Sequence, residues 1–435
     1  MGTLAVDKIL KTSTGAAEFT LPATDGTAGQ VWQTDGAGQL SVAALAADTV
    51  TATQIAADAV GTSEIAALAV TASEIAATTI TPAQMADSAF LANRNIFYNG
   101  AMMVAQKGTS TAGITTSQVG PVDGARTGLG TLGTWTAAQE QLTSGDAYAD
   151  GFQKAFRLDC TTANASPAVD SWFALQRKME GYEVQGLKKG TANAKSFTVS
   201  FWVKSNLTGN YNFFVKDRDN SRQAIQLYTI NVADTWEKKT ITFTGDTTGI
   251  LDCDVNSSLE FWWWLGAGTN YTSGTRPAAW EGGGVWANTA VGNVNLASST
   301  DNDWAITGVQ FEIGTTATPF EYRSYAQELA AGQRYFQTPY NWWAHSDGST
   351  ATAWKFVHDF PVQMRAAPTL AAVGTPTVNK MTANAAGPNT ITTPGTANQY
   401  GFQLSYTTMA TGSGSAAATN TPYQGYAGFT ADAEL

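Results

Sequence analysis

The chain has few charged residues, only two cysteines and no long apolar run. Only 14% of its 435 residues are Asp, Glu, Lys or Arg, against about 25% in an average globular protein. Cys160 and Cys253 are too few for a disulfide scaffold and lack the CxxC spacing of a metal site, so we expect two buried free thiols. No apolar stretch approaches the roughly 20 residues of a membrane-spanning helix.

Basic residues are also scarce, and the net charge is −11. Binding to nucleic acid depends on clustered Lys and Arg that neutralise phosphates, so this charge argues against a nucleic-acid partner. It also disfavours electrostatic docking on an anionic membrane. Asp7 and Lys8 stand where a signal peptide needs an apolar stretch, so we expect neither an export signal nor membrane insertion.

Aromatic residues, in contrast, are abundant, with 14 Trp, 14 Tyr and 19 Phe. A disordered chain would have few of them, so this composition favours folded domains. Apart from Trp32, every tryptophan lies between positions 135 and 354. Exposed Trp and Tyr rings can pack against sugar rings, which makes this part of the chain the first place to look for a glycan site.

Composition and patterning divide the chain into four regions. Residues 1–47 contain short extended pieces separated by Asp-Gly turns, a small β-region that we assign to attachment. A repeat occupies 48–92, and 93–325 reads as a large β-domain. Residues 326–435 begin with a short helical segment and form a last β-region. The predicted fold class is therefore mainly β.

The repeat has a period of ten residues and four copies in register. Apolar residues recur five apart, which fits neither a heptad coiled coil nor one face of a single strand. One copy of such a strip buries very little, so the pattern favours three identical chains around an axis, a thin trimeric shaft. A monomeric flexible linker is the alternative. The predicted shaft core comprises Val50, Ile55, Val60, Ile65, Val70, Ile75, Ile80 and Met85.

The region 93–325 shows the alternation typical of half-buried strands. In 196–204 and 259–265, apolar residues recur at every second position. In 303–314 the alternation changes phase at Gly308, which indicates a β-bulge. Many short strands separated by turn residues predict a β-sandwich or jelly roll. Further strands are predicted at 399–407 and at 427–435, and a helix at 326–338.

The chain contains, in this order, the run at 20–42, the decapeptides and the runs at 93–106, 176–211, 234–249, 306–337 and 360–369. Together these segments resemble bacteriophage tail fibre proteins, especially those of marine and cyanobacterial short-tailed phages. The resemblance implies a virion-borne homotrimer with an N-terminal attachment region that binds other virion proteins. It also implies a carbohydrate-binding jelly roll and a distal tip that meets the host surface. It carries over no catalytic residue.

Two groups of aromatic residues are candidate receptor contacts. In 259–265, Trp262 and Trp264 lie on the face opposite Trp263, so one of these faces should meet solvent, a neighbouring subunit or a ligand. The second group lies in the predicted tip and comprises Tyr340, Trp342, Trp343 and His345. Packing in the core or between subunits is the alternative role for both groups.

Metal and catalytic patterns are weak. His345 and His358 match no established metal-site spacing. Asp246, Asp252 and Asp254 lack the ligand spacing of a calcium loop, and Asp217, Asp219 and Glu281 are simply acids near aromatic residues. We therefore predict no metal, no cofactor and no catalytic residue.

The favoured function is a non-enzymatic phage tail fibre, located in the virion, that attaches the particle to a host envelope receptor, either a surface polysaccharide or an outer-membrane receptor. A tailspike that degrades polysaccharide is the first alternative, although the many similar short repeats of a long β-helix do not occur in 93–435. A head or collar fibre and a free carbohydrate-binding module of a secreted enzyme are the others.

Overall fold

The computed structural model describes residues 8–10, 18–20, 27, 30–34, 40–44, 93–338, 342–346, 354–380, 389–390, 397–406 and 423–435. The chain divides into two compact units, Met1–Thr81 and Pro82–Leu435. The decapeptide region 48–92, with every residue of the predicted shaft core, lies outside the described residues.

The first unit contains two antiparallel hairpins among its described residues. Strand β1 (Lys8–Leu10) pairs with β2 (Glu18–Thr20), and β3 (Gln30–Thr34) pairs with β4 (Leu40–Ala44). Trp32 on β3 is 59% exposed. Hairpins this short bury little apolar surface, in line with the small β-region that the sequence predicts.

The second unit is built on a large antiparallel sheet of eleven strands within the part of the chain described. Ten of them follow the order β12-β9-β15-β7-β6-β8-β13-β10-β11-β14, and β5 pairs with β6. The strands are β5 (Ser110–Val119), β6 (Arg126–Gln141), β7 (Lys154–Thr162), β8 (Trp172–Glu180), β9 (Phe197–Ser205), β10 (Gly209–Asp217), β11 (Arg222–Ile230), β12 (Glu237–Phe243), β13 (Ser257–Ala267), β14 (Glu281–Gly282) and β15 (Asp303–Ile313).

Strand β6 bends and carries the sheet from one layer into the other. Its residues 126–131 pair with β8, whereas 134–141 pair with β7. Left-handed backbone at Thr131 (φ 54°) and Gly133 (φ 74°) marks the bend. The sheet therefore rolls up, and Phe201 on β9 contacts Tyr228 on β11 across the interior, with ring centroids 5.2 Å apart. The mainly β, jelly-roll-like fold predicted from the sequence is confirmed.

The rolled sheet encloses a core rich in aromatic side chains. Alternation places Leu259, Phe261, Trp263 and Leu265 of β13 inside, each 0% exposed. Burying a side chain of this size stabilises the fold by roughly 1.5–3 kcal/mol. Other fully buried rings come from strands all round the sheet: Trp135, Phe156, Phe173, Phe201, Tyr211, Phe213 and Trp304.

The bulge predicted at Gly308 is present. The pairing of β15 with β9 shifts register between Thr307 and Gln310. Gly308 has φ 60°, and a Cβ there would lie 2.6 Å from the Phe152 ring. Glycine is thus needed both for the backbone conformation and for the close approach of the ring.

The region after β15 forms a second antiparallel sheet, of eight described strands, in which β20-β19-β23-β17-β18-β22-β21 are neighbours and β16 pairs with β23. The predicted terminal strand corresponds to β23, and Phe429 and Ala431 on it are buried. The strands are β16 (Phe336–Gln337), β17 (Trp342–Ser346), β18 (Trp354–Asp359), β19 (Thr369–Lys380), β20 (Asn389–Thr390), β21 (Ala397–Asn398), β22 (Gly401–Tyr406) and β23 (Tyr423–Asp432).

Helices are few in the described residues. They are α1 (Asp146–Ala149), α2 (Gly181–Val184), α3 (Thr269–Thr272) and α4 (Tyr325–Gln333), with 3-10 turns at Gln185–Leu187, Trp286–Asn288 and Leu296–Ser298. Helix α4 matches the predicted helical segment, and its first turn is closed by a capping box between Ser324 and Gln327. No helix in the ranges described has both the length and the hydropathy to cross a membrane.

The two sheets of this unit contact each other around α4. Arg334 at the end of α4 donates two hydrogen bonds, 2.6 and 2.5 Å long, to the Glu180 carboxylate on β8. The Tyr98 and Tyr335 rings stack with centroids 5.3 Å apart.

The two cysteines differ, since Cys160 is buried and Cys253 is exposed, so the expectation of two buried thiols is wrong for Cys253. Cys253 lies in the irregular segment between β12 and β13, where its side chain is at the surface.

Candidate functional site

The outer face of β13 carries the predicted contact residues Trp262 and Trp264, but it is not open. Trp264 is 0% exposed and Trp262 is 8% exposed, while Trp263 on the inner face is also fully buried. The expectation that one face of this strand stays open is therefore wrong for Trp264. The physical reason is a second, smaller apolar cluster that covers the outer face of the sheet.

The covering segment runs from Gly268 to Ala290 and supplies two of its own rings. Tyr271 lies 5.3 Å from Trp264, and Trp286 lies 6.0 Å from Trp262, measured between ring centroids. Backbone hydrogen bonds hold the segment in place: the Gly268 amide donates to Ser171 (2.8 Å), and the Ala290 amide donates to Tyr271 (2.9 Å). The loop that carries Tyr271 and Trp286 is thus hydrogen-bonded at its start to Ser171, next to β8, and its last residue is hydrogen-bonded back to Tyr271.

A third tryptophan forms the floor of the site. Trp172 on β8 lies opposite Gly130 of β6 and stacks on Trp262, with centroids 5.3 Å apart and planes 19° apart. A Cβ at Gly128 would lie 2.7 Å from the Trp172 ring, and one at Gly130 would collide with its Nε1. The two glycines therefore provide the space in which the indole lies against the strand.

Together these rings line a groove of about 590 Å³. This volume falls within the roughly 300–1,000 Å³ of typical small-molecule sites. Ring faces at its wall can pack on the C–H groups of a pyranose, while neighbouring polar groups hydrogen-bond to hydroxyls. The lining residues are Trp172, Trp262, Asn270, Tyr271, Gly284, Val285, Trp286 and Ala287.

Charged residues adjoin the groove in one row across three strands. Lys178 of β8 and Lys216 of β10 both lie opposite Glu260 of β13 in the sheet register. The Glu260 carboxylate accepts a 3.0 Å hydrogen bond from Nε1 of Trp262, which orients that indole. Lys216 Nζ lies 4.3 Å from the centroid of the Trp286 ring, a cation–π contact at the edge of the groove.

Both lysines of this row are partly buried, and this burial changes their acidity. Desolvation lowers the pKa of Lys216, and the nearby Arg218 and Lys178 lower it further, while Glu260 raises it. Desolvation likewise lowers the pKa of Lys178, against the attraction of Glu260, which raises it. Burial therefore disfavours the charged forms of Lys178 and Lys216 in this row.

The second group of predicted contact residues cannot be placed in a site. Tyr340 lies outside the described residues. Trp342, Trp343 and His345 are described only as backbone, in strand β17. Their role as receptor contacts stays a prediction.

His358 on β18 is half-buried beside Phe402, with ring centroids 5.2 Å apart, and burial lowers its pKa.

Two of the acidic residues named in the sequence analysis, Asp217 and Asp246, form ion pairs with the buried Lys189. Lys189 Nζ lies 2.6 Å from Asp217 and 3.0 Å from Asp246. It also donates to the carbonyls of Thr248 and Gly249. Within the described residues, no group of three or more His, Cys, Asp or Glu side chains is arranged to hold a metal ion.

The remaining acids of the two sets also have protein partners. Asp219 accepts from the Asp252 amide (2.9 Å), and Asp254 accepts from Asn256. Glu281 accepts from Gln223 at 2.7 Å and from Asn288 at 3.2 Å, which ties the covering segment to β11. Each of these contacts stabilises a turn or a loop.

Four residues of the groove escaped the sequence analysis: Trp172, Tyr271, Trp286 and Lys216. One signal was present, since Tyr271 and Trp286 stand in a stretch rich in Gly, Thr and Asn between two strands, where aromatic residues are unusual. Nothing local connects Trp172 to the glycines at 128 and 130, because their contact depends on the pairing of β8 with β6.

Comparisons with known proteins give structural matches only. No family model matches the chain, and no curated protein matches it. The structure is similar to the enzymatically active domain of tailspike protein 4 of bacteriophage CBA120, at 12% identity and a TM-score of 0.25. That match covers 51% of this chain and 22% of the tailspike chain, so this chain spans about a fifth of that protein's length.

Two further matches cover nearly the whole of a smaller protein. A putative sugar binding protein from Bacteroides thetaiotaomicron matches at 12% identity over 51% of this chain and 100% of its own, with a TM-score of 0.28. A family 11 carbohydrate-binding module of a cellulosomal cellulase of Clostridium thermocellum matches at 9% identity over 47% and 98%, with a TM-score of 0.23. With TM-scores below 0.5, these likenesses carry no argument about function.

Proposed function

We propose that this protein binds a glycan in the aromatic groove on the outer face of β13, and that it does so as a non-enzymatic fibre protein of a bacteriophage. The observation that carries the proposal is the arrangement of Trp172, Trp262, Tyr271 and Trp286 around one 590 Å³ groove. Flat apolar faces beside amide and carboxylate groups are the chemistry that recognises a sugar.

The role in a phage particle is supported by the sequence. The ten-residue repeat in 48–92 favours a trimeric shaft, and the resemblance to tail fibre proteins extends over most of the chain. In this proposal the region 1–47 attaches to other virion proteins, and the β-domains carry the receptor-binding surface to the host polysaccharide. The groove then acts by binding alone, without cleaving the glycan.

Glycan binding is tested with the full chain, its Trp286→Ala variant and a panel of immobilised bacterial surface polysaccharides. We expect the wild-type protein to bind at least one of them. Loss of the Trp286 ring should weaken this binding roughly tenfold or more, the range of a central aromatic contact. The matched control is Tyr182→Ala, which removes a 57% exposed ring outside the groove and should leave binding unchanged.

Absence of binding by the wild-type chain, or equal binding by the Trp286→Ala variant at an unchanged unfolding temperature, would contradict the groove as the glycan site. Release of oligosaccharides from a bound polysaccharide would favour the tailspike alternative instead. Sedimentation velocity tests the trimer, since a particle of a single 45.8 kDa chain would contradict it. Detection of the protein in purified virions by mass spectrometry tests its location.

A further inference from the structure

One end of the groove is positively charged, although the whole chain carries a net charge of −11. Lys178, Lys216 and Arg218 surround a single carboxylate, that of Glu260. The Glu260 side chain is only 4% exposed, while that of Arg218 is 50% exposed. Three cations therefore share one buried anion, at a place that opens to solvent.

The single carboxylate does not satisfy these cations. One oxygen of Glu260 accepts the indole hydrogen of Trp262, and the other lies 3.7 Å from Lys178 and 3.6 Å from Arg218. Both of these distances exceed those of a hydrogen bond. Within the described part of the chain, Lys216 has neither an ion pair nor a hydrogen bond, and its ammonium lies 4.3 Å from the centroid of the Trp286 ring.

The charged groups that act on Lys216 are two cations and one anion, namely Arg218, Lys178 and Glu260. Glu281, on the far side of β11, accepts hydrogen bonds from Gln223 and Asn288 rather than from a cation. Lys178 also lines a small cavity with Arg126 and Glu434, so it has a second acid nearby. The excess of positive charge therefore lies around Lys216, beside the Trp286 ring.

We propose that the ligand of the groove is an acidic glycan, one that bears uronic acid carboxylates. This inference rests on the glycan binding proposed above. One carboxylate lies at the ammonium of Lys216, and the sugar ring that carries it packs on Trp286. Hydrogen bonds from an ammonium to a carboxylate are about twice as strong as those between neutral groups. The contact also offsets the repulsion between Lys216 and its basic neighbours.

The direct test compares acidic polysaccharides with their own neutral derivatives. Polygalacturonate, alginate and hyaluronate serve as probes, each beside the same polymer after carboxyl reduction, which keeps the linkage and removes the charge. Binding to the full chain is followed by tryptophan fluorescence. We expect at least one acidic polymer to bind about tenfold tighter than its reduced form. We also expect this preference to decrease with added salt, since the site is partly exposed.

The variant Lys216→Met removes the charge and keeps an unbranched side chain that is one atom shorter. It should abolish the preference for the acidic polymer while the reduced polymer binds as before. The matched control is Lys204→Met on β9, whose ammonium lies 5.5 Å from the ring of Trp236, far from the groove in the sheet order. This control should retain the full preference.

The outcomes separate the two proposals. Equal binding of acidic and reduced polymers, or a preference that Lys216→Met leaves intact, overturns the acidic ligand while glycan binding stands. If the protein binds neither these probes nor the surface polysaccharides above, both proposals fail. An unchanged unfolding temperature for Lys216→Met shows that any loss of preference comes from the charge and not from misfolding.

Discussion

Lys189 and Lys216 both lie against a tryptophan, and their surroundings differ. Lys189 lies 5.2 Å from the Trp280 ring and also contacts two carboxylates and two backbone carbonyls. Lys216 lies 4.3 Å from the Trp286 ring and, in the described part of the chain, has no charged partner at contact distance. The first ammonium is 3% exposed and fully paired, whereas the second borders an open groove.

The difference separates a structural cation from one available to a ligand. A buried charge with every hydrogen bond satisfied stabilises the arrangement around it, and removing it leaves its partners unpaired. A half-buried charge without a partner contributes little to the fold and can accept an anion from outside. The predictions below test this distinction, beginning with the largest expected effect.

The substitution Lys189→Met should destabilise the protein strongly. It leaves Asp217, whose side chain is 0% exposed, without its cationic partner, although Asn220 still donates to it. Breaking a buried ion pair by removing one partner typically costs about 3–5 kcal/mol of unfolding free energy. Urea-induced unfolding of the variant and the wild type measures this loss.

The neighbouring substitution Lys188→Met is the matched control, because Lys188 is exposed. It should change the unfolding free energy by less than about 0.5 kcal/mol. A loss of under 1 kcal/mol for Lys189→Met would show that the Lys189–Asp217 ion pair does not stabilise the fold. Lys189 and Lys216 would then not differ in their structural role.

A second effect concerns buried acids at the contact between the two sheets. Burial raises the pKa of Glu183 to about 7 and that of Glu434 to about 7. Glu183 accepts a 3.3 Å hydrogen bond from the Tyr335 hydroxyl, and Glu434 lies 3.7 Å from Lys107. The other oxygen of Glu183 accepts a 3.1 Å hydrogen bond from the Glu180 amide, so both acids have partners and burial still raises their pKa.

Because the folded state holds these protons more tightly than the unfolded state, their contribution to stability is present below the usual pKa of 4.5. It is lost as the pH rises to about 7. The shift corresponds to at most about 3 kcal/mol per group. Unfolding free energies of wild type and Glu183→Gln, measured from pH 4 to pH 8, isolate one group. The decline should be smaller in the variant, and parallel curves would contradict the assignment.

Alternation along single strands predicted much of this fold. The division of 259–265 into two faces, the bulge at Gly308 and the helix before the last β-region all follow from local patterns. These features depend on the geometry of one strand or one helix, which neighbouring residues determine. The mainly β architecture follows from the same patterns and from the turn residues between them.

The groove could not be predicted in the same way. Alternation places Trp262 and Trp264 on one face, but it does not reveal that the segment 268–290 folds over that face. The stacking of Trp172 on Trp262 depends on the register between β8 and β13, and its fit depends on two glycines of β6. Such contacts join residues far apart in sequence, and no single segment contains the information.

This dependence gives a third prediction, for the floor of the groove. Gly130→Ala places a methyl group against Nε1 of Trp172 and should displace that indole. Overpacking of this kind costs about 1–3 kcal/mol, and it should also weaken polysaccharide binding. Gly282→Ala is the control, since nothing lies within 4 Å of a Cβ there. Urea unfolding measures the stability, and fluorescence titration measures polysaccharide binding. If Gly130→Ala matches the wild type in both, the Trp172 indole has room to move.

The smallest effect expected is the one that completes the comparison of the two lysines. Lys216→Met should leave the unfolding free energy within about 0.5 kcal/mol of wild type, or raise it slightly. The variant removes a cation whose pKa is lowered by burial and by repulsion from Arg218, and it keeps the packing of the side chain against Trp286. Urea unfolding at low and high salt measures this. A loss above 2 kcal/mol would place Lys216 with Lys189 among the structural cations, because only a charge that the fold depends on is so costly to remove.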